Sequence, residues 1–168
     1  MKKATKHTYR TITGRSLDLR KLGREERPFI ASVLGFYKNE VEWSKFAALW
    51  VRDFEKRGLN PDGLAYRICQ DLEARLGIAQ GKVAPPDYRD YLADLIEERY
   101  GSRYKFCKET GIDPGHLSRV FASRSDLSLE ALKKLLNVLG AALVVEPEDT
   151  LKANASPEEA SRALAGVV

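Results

Sequence analysis

Glycine, proline and capping residues divide the region between residues 88 and 140 into short segments, and this punctuation limits the fold more than any other feature. Within each segment apolar residues recur three and four positions apart, which is the spacing of one face of an α-helix. Serine or aspartate stands where an N-cap is needed, and glycine stands where a helix should end. The predicted helices cover residues 88–101, 102–111, 113–122 and 128–140. A short strand is predicted after them, over residues 142–145, ahead of Pro147.

Three longer amphipathic segments precede this region and predict helices over residues 28–38, 40–58 and 60–77. The third is expected to have its N-cap at its first residue and its stop signal at its last. Trp43 and Trp50 are two helical turns apart and face the same way, so packing in a core is favoured over a ligand pocket. Asp71 and Arg75 are predicted to be solvated charges on the surface of the third helix.

Gly81, Pro85 and Pro86 interrupt the helical pattern, and residues 81–87 are predicted to be a linker. The linker separates a helical domain at residues 28–80, whose role the sequence does not indicate, from a second domain at residues 88–147. The predicted fold class is therefore mainly all-α. It consists of an N-terminal helical region followed by a bundle of four to five helices with a short C-terminal strand.

Charge is spread unevenly along a chain whose net charge is +4. Residues 1–27 hold nine Lys or Arg against three Asp or Glu and lack sustained apolar periodicity, so they are predicted to form a mobile basic arm with one short strand at residues 9–13. Such an arm suggests a polyanionic partner, although basic tails are also often only solvated. The acidic tail, residues 148–168, leaves two alternatives, disorder or a helix that begins at Ser156.

Several classes of function are disfavoured by what the sequence contains. His7 and His116 are its histidines, and neither belongs to a catalytic or metal-binding pattern, so we expect no catalytic residues, no metal and no cofactor. We expect no membrane segment and no secretory signal, because no apolar run is long enough. Cys69 and Cys107 lie far apart in helical patterns, which indicates buried thiols in the reducing cytoplasm.

The segment at residues 113–122 has two different faces. On helical geometry Leu117, Val120 and Phe121 cluster on one side and are expected to turn inward. The opposite side and its flank carry mostly small residues around one arginine, namely Gly115, Ser118, Arg119, Ala122 and His116. Small residues allow a helix to approach the DNA major groove, where an arginine can contact guanine O6 and N7. The alternative is that the arginine and the histidine are ordinary solvent-facing residues.

The preceding segment is basic where it begins. Arg103 lies in its first turn, followed by Lys105 and Lys108, and Arg124 follows the next helix. A helix N-terminus presents unpaired N–H groups and a positive dipole end, which suit a phosphate. Clustered Lys and Arg residues are also the expected electrostatic footprint of an element that binds the DNA backbone.

Residues 88–145, about a third of the chain, resemble the Cro/C1-type helix-turn-helix family, also called the Xre family. Ser102-Arg103 is similar to the Thr/Ser-Gln opening of that family's second helix, and Phe106-Cys107 and Gly111-Ile112 to its Leu-Ala pair and Gly-Val turn. The stretch HLSRVFASR resembles TISRIENGK-like third helices, and LSLEALKKLLNVLG resembles PSLETLLKLAKALG. The resemblance implies a Cro/C1-type bundle whose third helix, residues 114–122, is the recognition helix.

The resemblance also implies roles for single residues. Base contacts of the family fall on positions matching Pro114, Gly115 and Arg119, and phosphate contacts on those matching Arg103 and Arg124. The full predicted base-reading set is Pro114, Gly115, His116, Ser118 and Arg119, and the full phosphate-binding set is Ser102, Arg103, Lys105 and Arg124.

The chain departs from the family at a few of these positions. The family usually has polar residues where this chain has Pro114 and Gly115, so base reading would depend on few side chains. Phe121 stands where the family has glutamate, and Cys107 where it has a small alanine.

The resulting expectation is a sequence-specific double-stranded DNA-binding transcriptional regulator, acting as a repressor and a homodimer on two half-sites about 10 bp apart. Residues 142–145 and the N-terminal helices are the candidate dimer surfaces. A second hypothesis is an antitoxin similar to the HigA group, in which residues 1–80 or the acidic tail neutralise a protein toxin and DNA binding serves autoregulation. A third is an adaptor that keeps the bundle without binding DNA.

Overall fold

The computed structural model describes residues 7–39, 42–145, 147 and 156–166. In these residues it contains eight α-helices, one short 3₁₀ turn and a sheet of two strands, so the prediction of a mainly helical protein is confirmed. The described residues divide into two compact units. The first unit combines residues up to 85 with residues 156–166, and the second comprises residues 86–147.

The first unit contains a β-hairpin, three consecutive helices and the last helix of the chain. Strands β1 (Thr8–Arg10) and β2 (Ser16–Asp18) pair antiparallel with Tyr9 opposite Leu17, and a 3₁₀ turn follows at Leu19–Lys21. The helices are α1 (Glu26–Lys38), α2 (Trp43–Lys56), α3 (Leu64–Ala79) and α8 (Pro157–Ala165). Trp50 is buried in this core and Trp43 packs partly buried against it, as their spacing predicts.

The prediction of a mobile basic arm is wrong for residues 7–22. Tyr9 and Leu19 are fully buried in the first unit, and Leu17 and Leu22 are buried beside them. These apolar residues are too few and too widely spaced to give a periodic signal, and they meet only when the hairpin folds back on itself. Residues 1–6 of the predicted arm lie outside the described residues.

Asp71 and Arg75 are also not the solvated pair that the sequence suggests, because both are buried. Arg75 Nε donates to Asp71 Oδ2 at 2.7 Å, the Tyr9 hydroxyl donates to the same carboxylate, and the Ile12 N–H donates to its other oxygen at 2.7 Å. Burial, and then the negative charge of Asp71, raise the pKa of Tyr9 well above its ordinary value of 10.0. This buried network attaches the hairpin to α3.

The same arginine connects the β-hairpin to the start of α8. Arg75 Nη2 donates to the carbonyl of Arg10 at 2.9 Å, and its Nη1 donates to the carbonyl of Ser156 at 3.4 Å. Helix α8 follows directly and buries Ala160 and Leu164 against β1, α1 and α3. Of the two alternatives for residues 156–166, the helix is therefore the one formed, and it belongs to the first unit; residues 148–155, 167 and 168 of the tail lie outside the described residues.

Helix α3 differs from its prediction at both ends. It begins at Leu64, because Asn60 uses its side-chain oxygen to accept from the Asp62 N–H in a turn before the helix. It continues through Gly77, where a Cβ atom would lie 2.5 Å from Val83 and 3.0 Å from Trp43 Nε1. Glycine is present at this position because other side chains pack directly against the backbone. Part of the predicted linker thus packs in the first unit.

The second unit is built from four helices, α4 (Tyr88–Tyr100), α5 (Arg103–Thr110), α6 (Pro114–Phe121) and α7 (Leu129–Val138). Side chains of Asp87, Ser102, Asp113 and Ser128 cap the four N-termini by accepting backbone N–H groups. Caps of this kind satisfy donors that have no partner within the helix. Its most deeply buried side chains are Leu92, Ile96, Phe106, Leu117, Val120 and Leu139.

The strand predicted over residues 142–145 is not formed, and these residues belong to no helix or strand. A strand requires a neighbouring strand for its backbone hydrogen bonds, and the two strands of the described residues pair with each other in the first unit. Leu143, Val144 and Val145 are exposed. No helix in the described part of the chain is long and apolar enough to cross a membrane.

Replacing Arg75 should test whether the buried network supports the first unit. We expect Arg75→Met to lower the free energy of unfolding by about 3–5 kcal/mol, because Asp71 would keep a buried charge without its cation. Both tryptophans lie in the first unit, so urea unfolding followed by tryptophan fluorescence reports on that unit. Arg162→Met is the matched control, since Arg162 is an exposed partner of Glu158 at the same i,i+4 spacing. Equal midpoints for the two variants would contradict the role of Arg75.

Candidate nucleic-acid interface

Helices α5 and α6 are joined by a turn of three residues. Gly111 ends α5 in the left-handed region, at φ 73°, which glycine adopts without steric cost. Asp113 then begins α6 by accepting the N–H groups of Gly115 at 3.0 Å and His116 at 2.9 Å, with Pro114 at the first helical position. The turn therefore contains a stop signal and a start signal only two residues apart, which brings the two helices close together.

Helix α6 lies with one face in the core and the other face exposed. Leu117 and Val120 are buried, and Phe121 is half-buried at the edge of the same core. The opposite face is accessible; Pro114, Gly115, Ser118 and Arg119 are exposed and His116 is half-buried. All predicted base-reading residues therefore lie on the exposed face or its flank.

Arg119 extends back along the helix toward its N-terminus. Its Nη2 lies 4.0 Å from Asp113 Oδ2, and its side chain is 57% exposed. A Cβ atom on Gly115 would lie 3.6 Å from Arg119 Nη1, which is ordinary van der Waals contact, so the guanidinium lies against the start of the helix. The ion pair is long and exposed, and such a pair holds a side chain only weakly. Arg119 can therefore leave Asp113 for a stronger acceptor.

The predicted phosphate-binding residues of α5 have different surroundings. Ser102 is half-buried, and its hydroxyl accepts the Lys105 N–H at 3.2 Å as the helix cap. Arg103 is exposed and its guanidinium carbon lies 4.6 Å from the centroid of the Phe121 ring on α6. Lys105 and Lys108 are exposed. The start of α5 and the end of α6 thus present basic groups beside each other.

Arg124 is exposed in the loop after α6, and backbone hydrogen bonds define the shape of this loop. The N–H of Arg124 donates to the Arg119 carbonyl at 2.9 Å, and the N–H of Ser123 donates to the Val120 carbonyl at 3.0 Å. This pattern is a Schellman motif, which requires a left-handed residue, and Ser123 adopts that conformation at φ 56°. Arg124 is therefore placed directly beyond the end of α6.

A second set of contacts attaches the same loop to the start of α4. Arg89 forms ion pairs with Asp87 and Asp126 and stacks on the Tyr88 ring at 4.9 Å. The Tyr88 hydroxyl donates to Asp126 at 3.3 Å and accepts the Leu127 N–H at 3.4 Å. This arrangement could not be predicted from the sequence, because its members are nearly forty residues apart and carry no spacing signal.

Phe121 and Asp113 also contribute to this surface in ways that the sequence does not indicate. Phe121 fits the inward-facing apolar pattern, and nothing in that pattern indicates that Arg103 stacks on its ring. Asp113 is recognisable as a helix cap, but the sequence does not show that the Arg119 side chain extends back toward it.

The described residues contain no group of three or more His, Cys, Asp or Glu side chains placed to hold a metal ion. The chain matches no protein-family model, and neither the curated proteins nor the solved structures include a significant match to it.

Replacing Ser123 with glycine should stabilise the second unit. Glycine adopts a left-handed conformation without the steric cost that a side chain carries, so we expect Ser123→Gly to raise the free energy of unfolding by up to about 1 kcal/mol. Thermal unfolding followed by circular dichroism measures the change. Ser125→Gly in the same loop is the control, because Ser125 has no positive φ and its replacement should bring no gain. A gain of the same size in both variants would refute the explanation.

Asp113 should make the second unit sensitive to acid. The N–H groups of Gly115 and His116 lower the pKa of Asp113 below its ordinary value of 3.8. The ionised cap therefore stabilises the folded unit above that value, and this contribution is lost as the pH falls through the lower folded-state pKa.

We expect Asp113→Asn to match the wild type near neutral pH, because asparagine is an equally good cap, and to lose less stability on acidification. Thermal unfolding from about pH 6 to about pH 2 measures this difference between the two proteins. Parallel pH profiles for the variant and the wild type would show that the ionised Asp113 carboxylate does not stabilise the second unit.

Proposed function

We propose that this protein is a sequence-specific double-stranded DNA-binding transcriptional regulator of Cro/C1-type helix-turn-helix architecture, acting in the cytoplasm as a repressor. The observation that carries the proposal is the orientation of α6. Its apolar face is buried, while Gly115, Ser118 and Arg119 are exposed on a helix that follows another helix after three residues. A short exposed helix with small residues around one arginine is suited to the major groove.

Base reading is assigned mainly to Arg119. Its planar guanidinium can donate two parallel hydrogen bonds to guanine O6 and N7, and its present partner Asp113 is only a distant, exposed carboxylate. Gly115 and Ser118 add little bulk on the same face, so the helix can enter deeply. Pro114 and His116 lie toward its start and flank, where contacts with neighbouring bases are available.

Binding to the DNA backbone is assigned to the basic residues around α6. Arg103 and Lys105 begin α5 and Arg124 follows α6, and all three are exposed. Phosphate contacts from such residues set the register of a protein on the duplex but do not read its sequence. Ser102 contributes by capping α5 through the Lys105 N–H, which fixes the start of the helix that carries Arg103 and Lys105.

A homodimer is the proposed binding form, since one short helix reads too few base pairs for useful selectivity. The exposed apolar residues Leu143, Val144 and Val145, directly after the second unit's last helix, are the proposed dimer surface. Exposed apolar residues in a row are uncommon on a monomer and are typical of surfaces that bind a partner.

Selection of bound duplexes from a random DNA pool, at about 0.15 M salt, tests the proposal directly. We expect the recovered sequences to share an inverted repeat with half-sites about 10 bp apart, because two copies of α6 would read them. Recovery of unrelated sequences, or of none, would refute sequence-specific binding.

Two arginine substitutions should separate base reading from backbone binding. Arg119→Ala should cost about 1–3 kcal/mol on the selected site and relax the preference at one base step. Arg103→Ala should weaken selected and random duplexes alike and reduce the slope of log K against log salt by about one. Arg162 is an exposed arginine of the first unit, and Arg162→Ala is the control. It should leave the affinity for both duplexes unchanged. Equal losses on both duplexes for Arg119→Ala would rule out its base-reading role.

A further inference from the structure

Arg103 differs from the other arginines that stack on aromatic rings. In the described part of the chain three arginines do so, and two of them also pair with carboxylates: Arg57 with Asp53, and Arg89 with Asp87 and Asp126. Arg103 stacks on Phe121 at 4.6 Å and has no carboxylate partner among the described residues. Its position is therefore restricted, while no described carboxylate pairs with its charge.

The geometry of a stack leaves the hydrogen-bonding capacity of the guanidinium unused. The guanidinium carbon of Arg103 lies over the Phe121 ring, and none of its five N–H donors forms a hydrogen bond or ion pair with a described residue. Phe121 is itself half-buried against the core of the second unit, so its ring is a fixed support. The result is a positioned cation with free donors beside the end of α6.

Lys105 and Arg124 lack this support. Both are exposed, and neither contacts an aromatic ring or a carboxylate in the described residues. A long side chain of this kind loses its rotational freedom only when it binds, which weakens the contact. Arg103 has already lost much of that freedom, so it should bind an anion more tightly than its neighbours do.

We propose that Phe121 is a positioning residue that holds Arg103 ready for a DNA backbone phosphate; this inference rests on the proposed function. Phe121 belongs to α6, whose other face reads the bases, and it contacts both the core and Arg103. The same side chain thereby links the placement of the base-reading helix to the backbone contact made from α5.

Duplex binding by the full-length chain, measured for a double-mutant cycle, tests the proposal. The proteins are the wild type, Phe121→Leu, Arg103→Ala and the double variant, on the selected duplex and on a random one. We expect Phe121→Leu to weaken both duplexes about three- to fivefold, which corresponds to an exposed cation–π contact. In the Arg103→Ala background the same substitution should have no further effect, because there is no cation left to position. Phe121→Tyr keeps an aromatic ring at this position and should bind both duplexes as tightly as the wild type does.

The cycle separates positioning from an effect on folding. If Phe121→Leu acted only by loosening the core, its loss would persist undiminished in the Arg103→Ala background, and that result overturns the proposal. Arg103→Lys leaves the core untouched and keeps the charge but not the flat stack; it should weaken binding about threefold without changing the salt slope, by the same cation–π argument. Wild-type affinity in Phe121→Leu or in Arg103→Lys overturns the proposal too.

Nuclear magnetic resonance of the protein without DNA provides a readout that does not depend on binding. The side-chain protons of Arg103 should be shifted upfield by the Phe121 ring, and Phe121→Leu should abolish the shift while Phe121→Tyr keeps it. Absence of the shift in the wild type would show that Arg103 does not stack on Phe121. It would overturn this proposal and leave the proposed function untouched. A wild-type protein that shows the shift but binds no duplex would instead refute the proposed function and, with it, the role given to Arg103.

Discussion

The burial of Leu117 and Val120 is the constraint on which the rest of the second unit depends. Helix α6 has only eight residues and is too short to be stable by its own hydrogen bonds. Burying two such side chains contributes about 1.5–3 kcal/mol each, which is more than any exposed ion pair on the helix provides. The core therefore determines how α6 is rotated about its axis, and that rotation places Arg119 on the outside.

The arginines of this chain show how the surroundings of one residue type decide its use. Arg75 is buried and donates hydrogen bonds to a carboxylate and two backbone carbonyls, so its role is structural. Arg89 is paired with Asp87 and Asp126 and holds a loop to the start of α4. Arg103 and Arg119 are exposed, the first stacked on a ring and the second near a distant carboxylate. Both of these last two arginines therefore have N–H donors available for a partner.

Contacts between distant parts of the sequence define the first unit. Arg75 binds the carbonyl of Arg10, 65 residues before it, and that of Ser156, 81 residues after it. The second unit is therefore an insertion between α3 and α8 of the first. Because a buried charge without its partner is costly, the hairpin and the start of α8 are both required to complete the surroundings of the Asp71–Arg75 pair.

Local signals in the sequence determined the helices of the second unit and the division of α6 into two faces. The caps at Ser102 and Asp113 and the stop at Gly111 act through hydrogen bonds within a few residues, so the sequence alone contains the information. The tertiary structure alone decided that residues 7–22 join a core, that Asp71 and Arg75 are buried, and that Arg103 stacks on Phe121. Each of these depends on a contact between residues far apart in the chain, which no local periodicity records. Residues 142–145 illustrate the same limit, since β-branched composition favours a strand but only a neighbouring strand can supply its hydrogen bonds.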